Sequence, residues 1–152
     1  MDIIYDYVPA IRERLLEMED LRDDAYQLES SFKERLHYLK RLESQKYVAL
    51  CAHYQNELVA GCYVSDQFSA LYIQQLFVGY NWQGKHYHFG KLLLLETLRR
   101  RDELEQYFKK EFWRSQLVAY DERSKKLYEN VGYVPLYGKG NIMVKKLTRE
   151  VF

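Results

Sequence analysis

One stretch of the sequence places residues of useful chemistry side by side. Gln83, Gly84, Lys85, His86, His88, Gly90 and Lys91 fall within nine positions and lead into the apolar run Leu92 to Leu95 and Leu98. A loop with small residues that opens a helix presents unpaired backbone N–H groups, and the helix dipole adds partial positive charge at the same end. Such a place suits a diphosphate, and Lys85 would bring a cation beside it. His86 and His88, two residues apart, are compatible with phosphate hydrogen-bond donors or with a metal pair. No third ligand accompanies them, so no metal is expected. The two cysteines, Cys51 and Cys62, cannot build a disulfide scaffold or complete a four-ligand zinc site.

The elements that must position this loop can be read from pattern. Asp2 to Tyr7 reads as a strand, and Pro9 opens a helix with Ile11, Leu15 and Met18 at helical spacing. Ser31 to Glu34 matches a capping box, followed by the apolar face Phe32, Leu36, Leu39 and Leu42. Tyr47 to Tyr54 and Leu58 to Ser65 form a hairpin around Gln55 and Asn56, and Ala70 to Val78 adds a third strand. A helix from Gly90 ends in Arg99 to Arg101, a favourable place for positive charge, and Asp102 to Trp113 reads as further helix or a long loop. Gln116 to Tyr120 is a strand, Asp121 to Val131 a helix closed by Gly132, and Tyr133 to Tyr137 and Ile142 to Leu147 are final strands. The order β α α β β β α β α β β predicts an α+β domain over residues 1–152, with a central, mostly antiparallel sheet flanked by helices.

Two segments within this order resemble the GNAT superfamily of acetyl-CoA-dependent N-acetyltransferases. The first is Leu76-Phe-Val-Gly-Tyr-Asn-Trp-Gln-Gly-Lys-His-Tyr-His-Phe-Gly-Lys-Leu-Leu-Leu94, similar to the family's strand, Gln/Arg-x-x-Gly-x-Gly/Ala loop and Leu-rich helix. The second is Val118-Ala-Tyr-Asp-Glu-Arg-Ser-Lys-Lys-Leu-Tyr-Glu-Asn-Val-Gly-Tyr133, similar to the family's Asn-x-x-Ala-x-x-Leu-Tyr-Glu-x-x-Gly-Phe stretch. The resemblance implies a GNAT-like acyltransferase fold with acetyl-CoA as cosubstrate. Gln83, Gly84, Lys85, His86, His88, Gly90 and Lys91 would then surround the pyrophosphate, and the backbone of Leu76, Phe77 and Val78 would pair with the pantetheine arm. Aligning Gly90 with the family's last glycine keeps the leucines in register and implies two inserted residues. His88 then replaces the first glycine, where it either crowds the phosphate or donates to it.

The resemblance also places Tyr128 where the family's general-acid tyrosine lies. A phenol of pKa about 10 stays protonated at neutral pH and can protonate a departing thiolate. With 15 tyrosines in 152 residues, one tyrosine says little alone; Leu127, Glu129 and Gly132 in register give the match its weight. Asp121 replaces the family's asparagine, which leaves it as a cofactor contact or simply as a helix cap. The acceptor amine must lose a proton before attack, yet Ala70 to Val78 contains Gln74 and Gln75 and no acid. Asp66 reads as a turn residue or as a group at the site's rim. Glu17 to Asp20 and Asp23 with Asp24 read as solvated helix faces or as an attraction for a cationic acceptor.

Composition bounds the remaining classes. Lys and Arg number 23 against 22 Asp and Glu, for a net charge of +1, which lacks the positive field of a non-specific nucleic-acid binder. No run reaches the ~20 apolar residues of a membrane span, and the start MDIIYDYVPA has no apolar run of signal-peptide length. A cytoplasmic enzyme acting on a small-molecule or peptide amine is expected, with no nucleic acid or membrane partner. The other reading is a GNAT-like CoA- or ligand-binding regulatory protein with impaired chemistry. Oligomeric state is not encoded in any pattern recognised in the sequence.

Overall fold

The computed structural model describes residues 2–8, 12–29, 31–44, 47–84, 87–138 and 140–148. Pro9 and Ile11, taken above as the start of the first helix, lie outside these residues. Strands β1 (Ile3–Tyr7), β2 (Tyr47–Tyr54), β3 (Glu57–Ser65), β4 (Leu71–Val78), β5 (Arg114–Val118), β6 (Val134–Pro135) and β7 (Ile142–Lys146) form one sheet in the order β1-β2-β3-β4-β5-β7-β6. Every pairing is antiparallel except that of β4 with β5. The β2–β3 hairpin closes through Gln55 and Asn56, both at positive φ (52° and 63°), the backbone that a two-residue turn requires to match strand twist.

Helices α1 (Arg12–Tyr26) and α2 (Phe32–Ser44) cover one face. There Leu15, Met18 and Leu39 pack with Ala49, Cys51, Tyr63 and Phe77. Helices α3 (Phe89–Arg99), α4 (Arg101–Phe108) and α5 (Glu122–Val131) contribute to the other, larger core. Ser31 caps α2 as expected, its hydroxyl accepting from the Glu34 N–H at 3.1 Å, but Phe32 is exposed rather than on the apolar face. The uncertain segment after Arg101 is α4, whose Leu104 and Phe108 are buried one turn apart.

Two strands differ from the expectation. β5 occupies Arg114–Val118 rather than Gln116–Tyr120, because all five residues pair with β7, from Lys146 back to Ile142. Tyr120 lies beyond the ladder and is exposed. β6 shrinks to Val134–Pro135, and among the described residues only the Leu136 N–H reaches β7 beyond it, at the Ile142 carbonyl (2.9 Å).

The feature that shapes the site is a bulge in β4. Tyr63 opposes Gln75 and Val64 opposes Ile73, so Gln74 is an extra residue. Leu71 and Ile73 belong to the larger core; beyond the bulge Leu76 and Val78 pack against that same core, while Phe77 enters the α1–α2 core. β4 pairs with β5 only at Leu71, Tyr72 and Ile73. From Gln74 onward the two parallel strands separate, leaving one edge of β4 open.

Candidate active site

The open edge of β4 is where local rules bring the predicted residues together. The Gly79 N–H bonds the Val59 carbonyl of β3 at 2.8 Å, and the carbonyls of Leu76 and Val78 turn the other way. Neither is bare. The Tyr26 hydroxyl, at the end of α1, donates to the Leu76 carbonyl at 3.2 Å. The Gln83 amide donates both to the Val78 carbonyl (2.7 Å) and to the Ala25 carbonyl (2.8 Å). Gln83 thus clasps the end of β4 to the end of α1 and does not turn toward the start of α3. Asp24 completes the latch by accepting from the Tyr80 N–H at 2.9 Å. Phe77 is buried.

Helix α3 begins beside this edge. The first α-helical bond here runs from Leu92 N–H to the His88 carbonyl, so the N–H groups of Phe89, Gly90 and Lys91 are not used within the helix. His88 precedes it at φ +55° with no side-chain cap, and its side chain is exposed. Gly90 is buried, and a methyl group in its place would meet Val78 at 3.3 Å and Leu127 at 3.4 Å. The missing side chain therefore lets the start of α3 sit against both β4 and α5. Lys91 is half-buried. Gly84 has φ +66° and lies against the Arg123 guanidinium, 3.0 Å from the position of a Cβ. Lys85 and His86 lie outside the described residues.

Tyr128 is buried, 6% exposed, behind the opening. Its ring sits 6.1 Å from that of Tyr133. Burial pushes its phenol well above the ordinary value, and the nearby Tyr26, Tyr133, Tyr120 and Asp121 act in the same direction. The group is therefore a proton donor at any physiological pH. Asp121 is the N-cap of α5: its carboxylate accepts from the Ser124 N–H at 2.7 Å, and the Ser124 hydroxyl returns to the Asp121 N–H at 3.2 Å. The Ser124 contacts hold its pKa below the usual aspartate value.

Asp66 sits by the start of β4, away from the opening, and pairs with Lys110 at 2.8 Å. Glu19, in the acidic run read as a solvated face or as an attraction for a cationic acceptor, is completely buried. It accepts from the Tyr63 hydroxyl at 2.8 Å and pairs with Arg22 at 3.3 Å. Burial raises its pKa against the opposing effects of Tyr63 and Arg22. Sequence reasoning missed Tyr26 and Arg123 as site residues, and it touched Glu19 only within the acidic run Glu17 to Asp20. Burial also pushes the Cys51 thiol up to about 11 and the Cys62 thiol up to about 12, so neither is a ready nucleophile. Among the described residues, no group of three His, Cys, Asp or Glu is placed to hold a metal ion, and no helix is long and apolar enough to cross a membrane.

No family model matches the sequence, and no curated protein matches it. Solved structures do match the fold. An acetyltransferase from Thermus thermophilus superposes with a TM-score of 0.71 at 16% identity, covering 94% of this chain and 97% of that one. The PaiA N-acetyltransferase of Thermoplasma acidophilum, solved with coenzyme A, gives 0.66 at 14% identity, covering 97% and 100%. An acetyltransferase from Streptococcus agalactiae gives 0.63 at 16%, covering 95% and 98%. Together with the parted strands β4 and β5 and the helix that starts beside them, these matches identify the chain's architecture as the GNAT acetyltransferase fold.

Proposed function

We propose that this chain is a cytoplasmic, single-domain N-acetyltransferase that moves the acetyl group of acetyl-CoA directly to a primary amine of a small molecule or peptide. The observation that carries the reading is the open edge of β4, flanked by the start of α3, whose first N–H groups have no partner among the described residues, and backed by buried Tyr128. On this reading the N–H groups of Phe89, Gly90 and Lys91 face the pyrophosphate, with Gly84, Arg123, Lys85, His86 and His88 around it. The β4 edge at Leu76 and Val78 takes the pantetheine amides by main-chain pairing.

In the transfer, the thioester C–S bond breaks and an amide C–N bond forms. The amine gives up a proton to solvent, the leaving sulfur takes one from the Tyr128 hydroxyl, and the phenolate regains a proton from solvent, so that thioester and amine become amide and thiol. The buried phenol stays un-ionised and so holds a proton to give, while its raised pKa lowers the driving force for the transfer. Calorimetric titration with acetyl-CoA tests the reading first, followed by thiol release with a panel of amines. Saturable one-site binding and turnover support it; no binding at millimolar acetyl-CoA removes it.

A second reading has its own observation. Tyr26 and Gln83 already occupy the Leu76 and Val78 carbonyls, which fits a protein that binds CoA or another ligand without efficient chemistry. Turnover with any amine excludes it. No nucleic acid or membrane partner enters either reading.

A further inference from the structure

Four aromatic rings meet where the chain leads into α3. They come from the end of β2 (Tyr54), the turn after β4 (Trp82), the loop itself (Tyr87) and the first residue of α3 (Phe89). Every pairing among them is in contact, with centroids 5.1–5.8 Å apart. Phe89 is buried, and the other three are half-buried against the larger core. The group is tied to the β2–β3 hairpin. The Trp82 indole N–H donates to the Glu57 carboxylate at 3.4 Å, and the Gln55 amide donates to the Tyr54 hydroxyl at 3.3 Å.

The rings enclose a residue in an unfavourable backbone. His88 sits at φ +55° and ψ +36°, the left-handed region that glycine enters freely and a residue with a Cβ rarely does. Such a conformation persists only where its surroundings over-determine it. The His88 side chain does not do so, being exposed and making no capping hydrogen bond. Its neighbours do. The Tyr87 and Phe89 rings stack at 5.1 Å with their planes 10° apart. A stack between the residues before and after His88 restrains the torsions between them, and Tyr54 and Trp82 brace that stack from the side. Because α3 is packed into the core, a change at His88 would swing the preceding loop rather than the helix. Gly84 would then leave its place against the Arg123 guanidinium.

We propose that Tyr87, braced by Tyr54 and Trp82, is a positioning residue for acetyl-CoA: its stack on Phe89 holds His88 left-handed and keeps the loop in its binding form beside the start of α3. This rests on the acetyltransferase reading for the identity of the ligand. A loop that holds this form only part of the time binds with its affinity reduced by that fraction.

The test is calorimetric titration of acetyl-CoA, and separately of inorganic pyrophosphate, into the wild type, Tyr87→Phe, Tyr87→Ala, His88→Gly and the double variant Tyr87→Ala/His88→Gly. Glycine needs no stack to be left-handed, so the double variant separates positioning from plain packing. Tyr87→Ala should weaken acetyl-CoA about tenfold, as for a binding form populated about one-tenth of the time, and the same change in the His88→Gly background should cost less than about threefold. Tyr87→Phe keeps the ring and should bind as the wild type does. In Tyr87→Ala the KM for acetyl-CoA should rise while kcat at saturation stays near the wild-type value. Tyr87→Leu, which keeps an apolar body without the stack, takes the place of Tyr87→Ala if thermal unfolding shows that variant unfolded. Three results overturn the proposal: affinity unmoved in Tyr87→Ala, its full loss repeated in the His88→Gly background, or an equal loss in Tyr87→Phe. Pyrophosphate binding that weakens in Tyr87→Ala, with no acetyl-CoA binding, removes the transferase reading and keeps the positioning role. Acetyl-CoA binding and turnover that Tyr87→Ala leaves unmoved does the reverse, and a wild type that binds neither probe removes both.

Discussion

Two tyrosines whose rings lie 6.1 Å apart should respond to the same substitution in opposite ways. Tyr128 and Tyr133 are both buried. The Tyr133 hydroxyl is bonded to the Ser115 hydroxyl at 2.6 Å, whereas Tyr128 has no such bond among the described residues. Tyr128→Phe therefore removes a hydroxyl that nothing in the fold needs, and stability should move by no more than about 0.5 kcal/mol. A general acid contributes roughly 10²–10⁴-fold, so kcat should fall by at least about 100-fold, equivalent to about 2.7 kcal/mol of barrier. Tyr133→Phe breaks a buried hydrogen bond and should cost about 1 kcal/mol of stability, with kcat nearly unchanged. The assay pairs thermal unfolding with thiol release from acetyl-CoA at saturating amine. Because burial raises the Tyr128 phenol, wild-type kcat should show no loss of this donor below the ordinary tyrosine range near 10. An unchanged kcat in Tyr128→Phe refutes its role as the acid. A kcat loss of equal size in Tyr133→Phe refutes the division of labour between the two.

Other expectations follow from single contacts. Tyr26→Phe releases the Leu76 carbonyl, and acetyl-CoA should bind about fivefold tighter by calorimetry; weaker binding would show the hydroxyl helping rather than obstructing. Asp121→Ala removes the cap of α5 and should cost about 1 kcal/mol near neutral pH. Since its native pKa is lowered, that stability is present above the ordinary aspartate pKa and is lost as pH falls through the native value. Unfolding curves of the variant and the wild type should therefore converge in acid. Gly132→Ala places a side chain at φ +107° and within 2.6 Å of the Lys145 ammonium; a loss of about 1–2 kcal/mol in denaturant unfolding is expected, and an unchanged midpoint would contradict it.

Much of this fold is legible in the chain because local and global preferences agree. The β2–β3 hairpin has its β-forming and small apolar residues and its polar turn, and α5 has Asp121 before it and Gly132 after it. The ends of β5 are not legible: Arg114 and Ser115 belong to the strand because β7 is there to pair with them. The burial of Glu19 is hidden for a similar reason. A glutamate in an acidic helix looks solvated until Tyr63, 44 residues away, is known to meet it. The loop from Gln83 to Gly90 could be located from its glycines, but the clasp made by Gln83 depends on Ala25, 58 residues earlier. The bulge at Gln74 bears no glycine or proline to announce it.

That bulge amounts to a parity error written into the strand. Remove Gln74 from the count, and Leu71, Ile73, Leu76 and Val78 fall on one face while Gln75 and Phe77 fall on the other, in unbroken alternation. The core would accept the shorter strand without moving any apolar residue to the wrong side. The extra residue stands next to the last pair, Ile73 with Leu117, that joins β4 to β5. A single codon insertion or deletion there would pass hydrophobic selection unseen, because the apolar residues on either side keep their faces.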